Sequence, residues 1–487
     1  MATDKSGRPG KPIGARTDRS SQRSSPQRRL APGQRVGARL GARGTGAPGG
    51  VIGGGVEGAG MAGGVRFWLL EDAVRRLLPC IRPADVLLRE FFRAHPELGR
   101  RDRARIAQAA FAVLRHRRRL EHLIAGGPGP RERLLALLAL CMVAGEKACS
   151  GVVARDPDLS RWFSNIAPAV DDPLRAAALA PAVRNSLPDW LHERLAAQWS
   201  GDALEALESA LLAPAPLDLR VNLLKADVPA AIAALAAEDI AATAIEKVPG
   251  ALRLTGHPAL EHSKTFLDGW VEVQDAGSQW LVACVGAKRG ETIVDFCAGA
   301  GGKTLALAAA MRGGGQVFAI DVSEGRLAKL RPRLLRAGAT NVQPMRIESE
   351  ADPKLNRLSK RADRVLVDAP CSGTGTLRRN PDLKWRQSLR DVAELTVRQG
   401  AILAAAAQLV KPGGRLVYAT CSLLEAENDG VARAFAEKHP DFMAVDADPG
   451  GAGLATGFPG ARTLLPHLEG CDGFYAVAFQ RLKPSTV

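Results

Sequence analysis

Two short stretches place a cysteine where chemistry could use it: DAPCSGTG (368–375), which holds Cys371, and ATCSLLEAEN (419–428), which holds Cys421. Each cysteine falls just past an apolar run that reads as a strand. A thiolate is a strong nucleophile, but a free thiol of pKa about 8.5 is only a few per cent ionised at neutral pH. A site that uses one must therefore lower that value or deprotonate the thiol on demand. A third stretch, DFCAGAGGKT (295–304), supplies glycines that let the backbone bend sharply after a strand and approach a ligand closely. Its second half, Gly302, Lys303 and Thr304, fits the phosphate-binding pattern G-x-x-x-x-G-K-[ST], yet Cys297 stands where the first glycine belongs.

Two readings of that turn compete. A phosphate loop for ATP finds some support in RVLVDAP, which imitates the acidic strand end that holds magnesium in an ATPase. Against it, the strand QVFAID ends in Asp321, twenty-two residues after Gly299. An acid there accepts hydrogen bonds from ribose hydroxyls in dinucleotide-type folds, and a phosphate loop has no use for it. The acid-led turn D-x-x-A-G-x-G-G also fits S-adenosyl-L-methionine enzymes, with glycines making room for the methionine portion, Asp295 orienting the turn and Lys303 meeting the cofactor's carboxylate.

The elements that must position these residues follow from the alternation after Glu291: ETIVDF, GGKTLALAAAM, QVFAID, EGRLAKLRPRLLRAG, NVQPMRI, RVLVDAP, RLVYATCS and FYAVAFQRL. Strands separated by helices of that length specify a doubly wound parallel α/β sheet, whose function sits at the carboxyl ends of its strands. In such a sheet the strands that precede Cys371 and Cys421 lie side by side, so both thiols should face one crevice beside the cofactor. That pair suits one reaction. Carbon 5 of cytosine is a poor nucleophile until a thiolate adds at carbon 6; the enamine then attacks a sulfonium methyl, a base removes the carbon 5 proton and the thiol leaves.

DFCAGAGGKT, DAPCSGTGTLRRNPDLKWR and YATCSLLEAEN, with RVN (220–222), VQDAGSQW (273–280) and CDGFYAVAF (471–479), resemble the motifs of the Sun/RsmB-like family of bacterial RNA cytosine-5 methyltransferases. The resemblance covers the chain from about Leu217 onward. Ahead of the alternation that begins at Glu291, apolar residues at three and four residue spacing predict an all-helical domain at 65–205, and mixed strand and helix patterns predict a small α+β module at 206–285. The resemblance implies a Rossmann-like catalytic domain with a seven-stranded sheet over 286–487 and offers the family's NusB-like RNA-binding domain as the counterpart of the helices. It also implies S-adenosyl-L-methionine as cofactor and RNA as partner, ribosomal RNA above transfer RNA, in the cytoplasm. Cys421 matches the nucleophile, Cys371 the cysteine that assists product release, and Asp368 the acid that contacts cytosine N3 and borders the cofactor. The turn Cys297, Ala298, Gly299, Ala300, Gly301, Gly302 and Lys303 matches the cofactor site with Asp295 and Asp321, and Arg326 is a neighbour. The family's adenine-end aspartate has no clear match: Glu348 is taken for it, with Glu350 and Asp352 as rivals.

Composition bounds the rest. The 487 residues suffice for about three domains without disulfides. Eight cysteines form no C-x-x-C pair and eight histidines form no i, i+4 pair, so no metal site is expected. The longest apolar runs, Leu134 to Ala144 and Ala401 to Val410, fall short of the roughly 20 residues that cross a bilayer. The net charge of +15 suggests a polyanionic partner, and residues 1–64 hold eleven Lys or Arg against three acids (Asp4, Asp18, Glu57), more than half of that excess. Their Gly, Arg, Ser and Pro content predicts a disordered tail, read either as an RNA-binding arm or as sequence upstream of a start at Met61. The arginines at 100, 101, 103, 105, 115 and 117–119 predict a phosphate-contacting helix face. Arg378, Arg379, Lys384 and Arg386 around Trp385 predict an RNA-facing loop. Two rival classes remain, a P-loop ATPase and a catalytically silent RNA-binding assembly factor, with a DNA methyltransferase disfavoured because such enzymes do not need the T-C-S cysteine. The sequence is silent on oligomeric state.

Overall fold

The computed structural model describes residues 66–170, 172–448 and 450–484; the basic tail lies outside them. Helices follow one another from Phe67–Leu77 to Gly201–Leu212. Arg131–Ala144 is buried continuously from Leu134 to Cys141 and forms the centre of this region, enclosed by Phe67–Leu77 and Arg100–Arg115. The last two helices, Asp189–Ala196 and Gly201–Leu212, turn Leu191, Leu195, Leu207 and Leu211 onto Leu377, Leu423, Leu424 and Leu465, beneath the loops that carry the two cysteines.

Four short strands come next: β1 (Asp218–Val221), β2 (Ala242–Ala244), β3 (Ala251–Leu254) and β4 (Val271–Val273). They pair antiparallel in the order β2-β3-β1-β4. Helix Val228–Ala236 covers them through Ala231 and Leu235.

The large sheet contains β5 (Thr292–Asp295), β6 (Gln316–Asp321), β7 (Val342–Arg346), β8 (Ala362–Asp368), β9 (Val410–Thr420), β10 (Phe442–Val445), β11 (Leu454–Ala455), β12 (Arg462–Leu464) and β13 (Phe474–Arg481). Its order is β11-β12-β13-β9-β8-β5-β6-β7, with β10 also on β13. The five strands from β7 to β9 are parallel. The chain leaves β5 in one direction and returns at β8 in the other, which opens the crevice where ligands bind in doubly wound sheets. The sheet departs from the expected seven strands in having nine, and it is mixed, because β13 runs antiparallel to β9. Both β10 and β12 pair with β13, at its opposite ends, and β11 adds a two-residue edge. Strands of two to four residues show no alternation long enough to read from sequence. Period-two alternation does sort the core: Ile293 faces the layer with Trp280, Leu305 and Leu307, and Val294 faces the layer with Ile402, Leu403 and Phe435.

Two expectations for basic residues are corrected here. The segment after Cys371 is not an exposed RNA-facing loop but a clamp between the helical region and the catalytic end. Lys384 is 2% exposed and donates to the Arg115 carbonyl at 2.9 Å, and the Trp385 indole N–H donates to the Leu114 carbonyl at 2.7 Å. Arg378 donates to the Cys471 carbonyl, Arg379 bridges Asp275 and Asp472 at 2.6 Å each, and Arg386 pairs with Asp382. Burial, with Arg115 nearby, pushes the Lys384 ammonium down to about 7. The predicted arginine face is likewise largely spent on structure: Arg103, Arg115, Arg117, Arg118 and Arg119 all donate to backbone carbonyls, and Arg100 and Arg101 are exposed. Guanidinium groups satisfy several carbonyls at once while their stems pack, so a run of arginines is not by itself a solvated face. Among the described residues no helix is long and apolar enough to cross a membrane.

Candidate active site

The glycine turn links β5 to helix Gly302–Ala310. Asp295, fully buried at the end of β5, accepts from Thr304 Oγ1 at 2.7 Å through Oδ2, while its Oδ1 has no partner among the described residues. Burial pushes this carboxyl up to about 7. Gly299 and Gly301 stand at φ +56° and +83°, where glycine is favoured, and a Cβ on Gly301 would lie 2.1 Å from Leu330 Cδ1. Asp321, at the end of β6, accepts the Gly299 N–H at 2.8 Å and the Ser323 N–H at 2.7 Å, with Arg326 at 3.4 Å. Its carboxylate is thereby fixed between the turn and the start of helix Glu324–Ala337.

The two thiols meet as the topology requires. Asp368 of β8 lies opposite Ala419 of β9, and the chains leave these parallel neighbours together. Cys371 Sγ and Cys421 Sγ are 3.3 Å apart, both half-buried. The hydrogen bond with Cys421, followed by burial, pushes the Cys371 thiol well above its ordinary value. Lys303 Nζ donates to Asp368 at 2.7 Å. Burial works against the Lys303 charge, but Asp368 and Cys421 outweigh it and hold the ammonium above its usual range.

A cavity of about 410 Å³ joins these groups, lined by Gly299, Asp321, Glu350, Asp368, Cys371 and Cys421 among others. A second, of about 330 Å³, shares Cys297, Ala298 and Asp368 with it and extends past Gly302 and Lys303 to Asp275, Arg379 and Asp472. Both volumes suit small-ligand sites. Ala300 lines the first cavity while its carbonyl accepts from Arg333, and burial raises the Cys297 thiol. Glu348 does not reach the cavity: its side chain is 67% exposed and pairs with Arg346. Glu350 lines the cavity in its place, and Asp352 is occupied by the N–H groups of Glu348 and Lys354. Sequence reasoning passed over two further residues. Arg398 lines the cavity beside Cys371, and Glu427 lies buried between the two cysteine loops, foreshadowed only by an acid five residues after Ser422.

Residues 282–480 match the family described as 16S rRNA methyltransferase RsmB/F, and residues 187–261, which contain β1 to β3, match the RsmF/B-like ferredoxin-like domain. The ribosomal RNA small subunit methyltransferase B of Sodalis glossinidius is 38% identical over 319 residues, which cover 65% of this chain and 70% of that protein. The chain belongs to the RsmB/F methyltransferase family. A probable member from Synechocystis is also 38% identical, over 60% of this chain and 66% of its own length, just under two thirds. Among solved structures, PH0851 superposes with a TM-score of 0.69 at 27% identity, covering 85% of this chain and 98% of that one. A methyltransferase homologue from Pyrococcus horikoshii gives 0.56 at 28%, covering 64% and 100%.

The methyl donor of this RsmB/F chain is S-adenosyl-L-methionine. The residues present fit it. A positive-φ glycine turn abuts the cavity, an acid at the end of β6 faces it, and one buried carboxyl oxygen of Asp295 has no partner among the described residues.

Proposed function

We propose that this protein methylates carbon 5 of a cytosine in small-subunit ribosomal RNA, with Cys421 as the nucleophile that adds to carbon 6. The observation that carries this reading is the pair of thiols 3.3 Å apart on the cavity that also holds the glycine turn and Asp321. A methyltransferase acting on a nitrogen or a ribose oxygen has no use for two adjacent thiols. Activation of cytosine carbon 5 needs one to add and is helped by a second when the first departs.

Asp321 and Arg326 would hold the ribose end of S-adenosyl-L-methionine, Glu350 its adenine end, and Asp295 and Lys303 its amino-acid end. When bound, the cofactor supplies an electrophilic methyl group. Cys421 gives up its proton as its sulfur becomes the nucleophile, on the cavity that Asp368, the partner of Lys303, also lines. It adds to carbon 6 and so places electron density on carbon 5. Cys371, whose thiol is pushed up by its hydrogen bond with Cys421 and by burial, would donate its S–H to the Cys421 sulfur once that sulfur has ionised. The same hydrogen bond stabilises that sulfur as it leaves after carbon 5 has been methylated and deprotonated. Asp368, which borders both cavities, would meet cytosine N3. The names of the Sodalis and Synechocystis relatives, a ribosomal RNA small subunit methyltransferase B and a probable one, support small-subunit ribosomal RNA as the substrate.

Transfer of labelled methyl from S-adenosyl-L-methionine to 16S rRNA from a host lacking this gene, followed by nucleoside analysis, tests the reading. Label in 5-methylcytidine is the expected result. Label in any other nucleoside, or magnesium-dependent ATP hydrolysis without methyl transfer, overturns it.

A further inference from the structure

Glu427 does not line the cavity, yet it joins every loop that places the thiols. It is fully buried, and its carboxylate accepts four hydrogen bonds from three elements. Ser372, directly after Cys371, gives its N–H at 2.9 Å and its hydroxyl; Ser422, directly after Cys421, gives its hydroxyl at 2.6 Å; Gln399 on helix Leu389–Ala407 gives Nε2 at 2.9 Å. The same Gln399 amide donates to the Pro370 carbonyl, and the Tyr418 hydroxyl donates to the Glu427 carbonyl. Among the described residues no cation pairs with this carboxylate. A buried anion without a counter-ion persists only where hydrogen bonds satisfy it, and here two donors meet each oxygen.

The charges around the sulfur pair are unequal. The Lys303 ammonium, from helix Gly302–Ala310, has Cys421 among the groups that act on it, whereas on the other side Glu427 adds to the Cys421 hydrogen bond and burial in disfavouring an anion on Cys371. Asp368 at the end of β8 is paired with Lys303, the Tyr418 phenol of β9 is neutral, and Arg398, Asp321, Arg326 and Glu350 face the cavity.

We propose that Glu427 is the positioning residue of the thiol pair: it ties the two cysteine loops face to face and holds the proton on Cys371, so that Cys421 is the thiol that ionises. This deepens the proposed function and rests on its assignment of Cys421. Two sulfurs 3.3 Å apart do not carry two negative charges, so the site must choose between them. If Cys371 ionised instead, the sulfur that attacks would be the one bearing the neighbouring anion, and no S–H donor would be fixed beside a departing Cys421.

Glu427→Gln isolates the charge. The amide keeps an acceptor oxygen for the Ser372 N–H and Gln399, and the serine hydroxyls can rotate to accept from its NH₂. The rate of iodoacetamide alkylation at each cysteine of the full chain, without RNA, is followed from pH 6 to 9 by peptide mass spectrometry. In the wild type Cys421 should react at least about tenfold faster than Cys371 at pH 7.5. In Glu427→Gln the Cys371 profile should shift to lower pH by about one unit, roughly a tenfold gain in its rate. The kcat for methyl transfer should fall about tenfold with the KM for RNA unchanged. Equal labelling in the wild type overturns the proposal even if the variant does not fold, and so do superimposable wild-type and variant profiles. A wild type that labels Cys421 selectively but forms no 5-methylcytidine overturns the proposed function and leaves the assignment of Glu427 standing.

Discussion

Sulfur atoms at 3.3 Å cannot perform the same task, and the residue-scale consequence is an asymmetric pair of knockouts. Cys421→Ala removes the atom that activates carbon 5, and methyl transfer should drop by at least about 10³-fold in a single-turnover assay. Cys371→Ala leaves that atom in place but takes away the S–H beside it. The adduct should form and persist, visible on a denaturing gel as a protein band shifted by bound RNA. A Cys371→Ala enzyme that turns over at the wild-type rate without a shifted band would remove Cys371 from the reaction. These two residues were legible in the sequence because the flanking T-C-S and P-C-S-G-T-G each follow a strand. Glu427 was not, because three of its four hydrogen bonds come from residues 28 and 55 positions away, and no local pattern records such donors. Glu348 could not be told from Glu350 or Asp352 because no motif marks the acid after the third strand; in the structure Glu348 pairs outward with Arg346, whereas Glu350 lines the cavity with Asp321 and Ile347.

At the scale of elements, the clamp of residues 377–390 offers a test through pH. Folding lowers the Lys384 ammonium from its ordinary 10.5 to about 7, so at pH 7 about half of the folded molecules carry this charge and well above pH 7 few do. Between those values the unfolded chain binds a proton that the folded chain does not, so this residue makes stability rise with pH across that window; below pH 7 both states are charged, the slope vanishes and the full cost of burying the charge is present. Wild-type protein should gain roughly 1–3 kcal/mol from Lys384 between pH 7 and 9. Lys384→Met, which keeps the packing, should flatten that dependence in urea titrations at the two pH values. Identical slopes in both proteins would mean that the ammonium stays charged against the Arg115 carbonyl. The clamp was misread from sequence because four cations in a short span look solvated, whereas their partners are backbone carbonyls and acids up to 269 residues away. By contrast, β5, β6, β8 and β9 were plain, since each is an apolar run closed by an acid, a glycine turn or a cysteine. The edge strands β10 to β12 were not, being too short to show a period.

At the scale of the whole molecule, charge and assembly separate. Most of the net +15 lies in residues 1–64, while many arginines of the helical region are committed to carbonyls. Removing residues 1–64 should weaken RNA binding and reduce the slope of log K against log salt, with kcat at saturating RNA unchanged, as measured by filter binding from 50 to 200 mM salt. An unchanged slope would move the main phosphate contacts into the folded part. The clamp also sets a clock for biosynthesis. Leu114 waits for Trp385 across 271 residues of chain. At the usual 5–20 residues per second that gap lasts about 14–54 s. Throughout it the nascent helical region has its clamp-facing surface bare on the ribosome, and the segment that covers it emerges only after Cys371. The clamp can therefore close only after Cys371 has been made, and before Cys421 has.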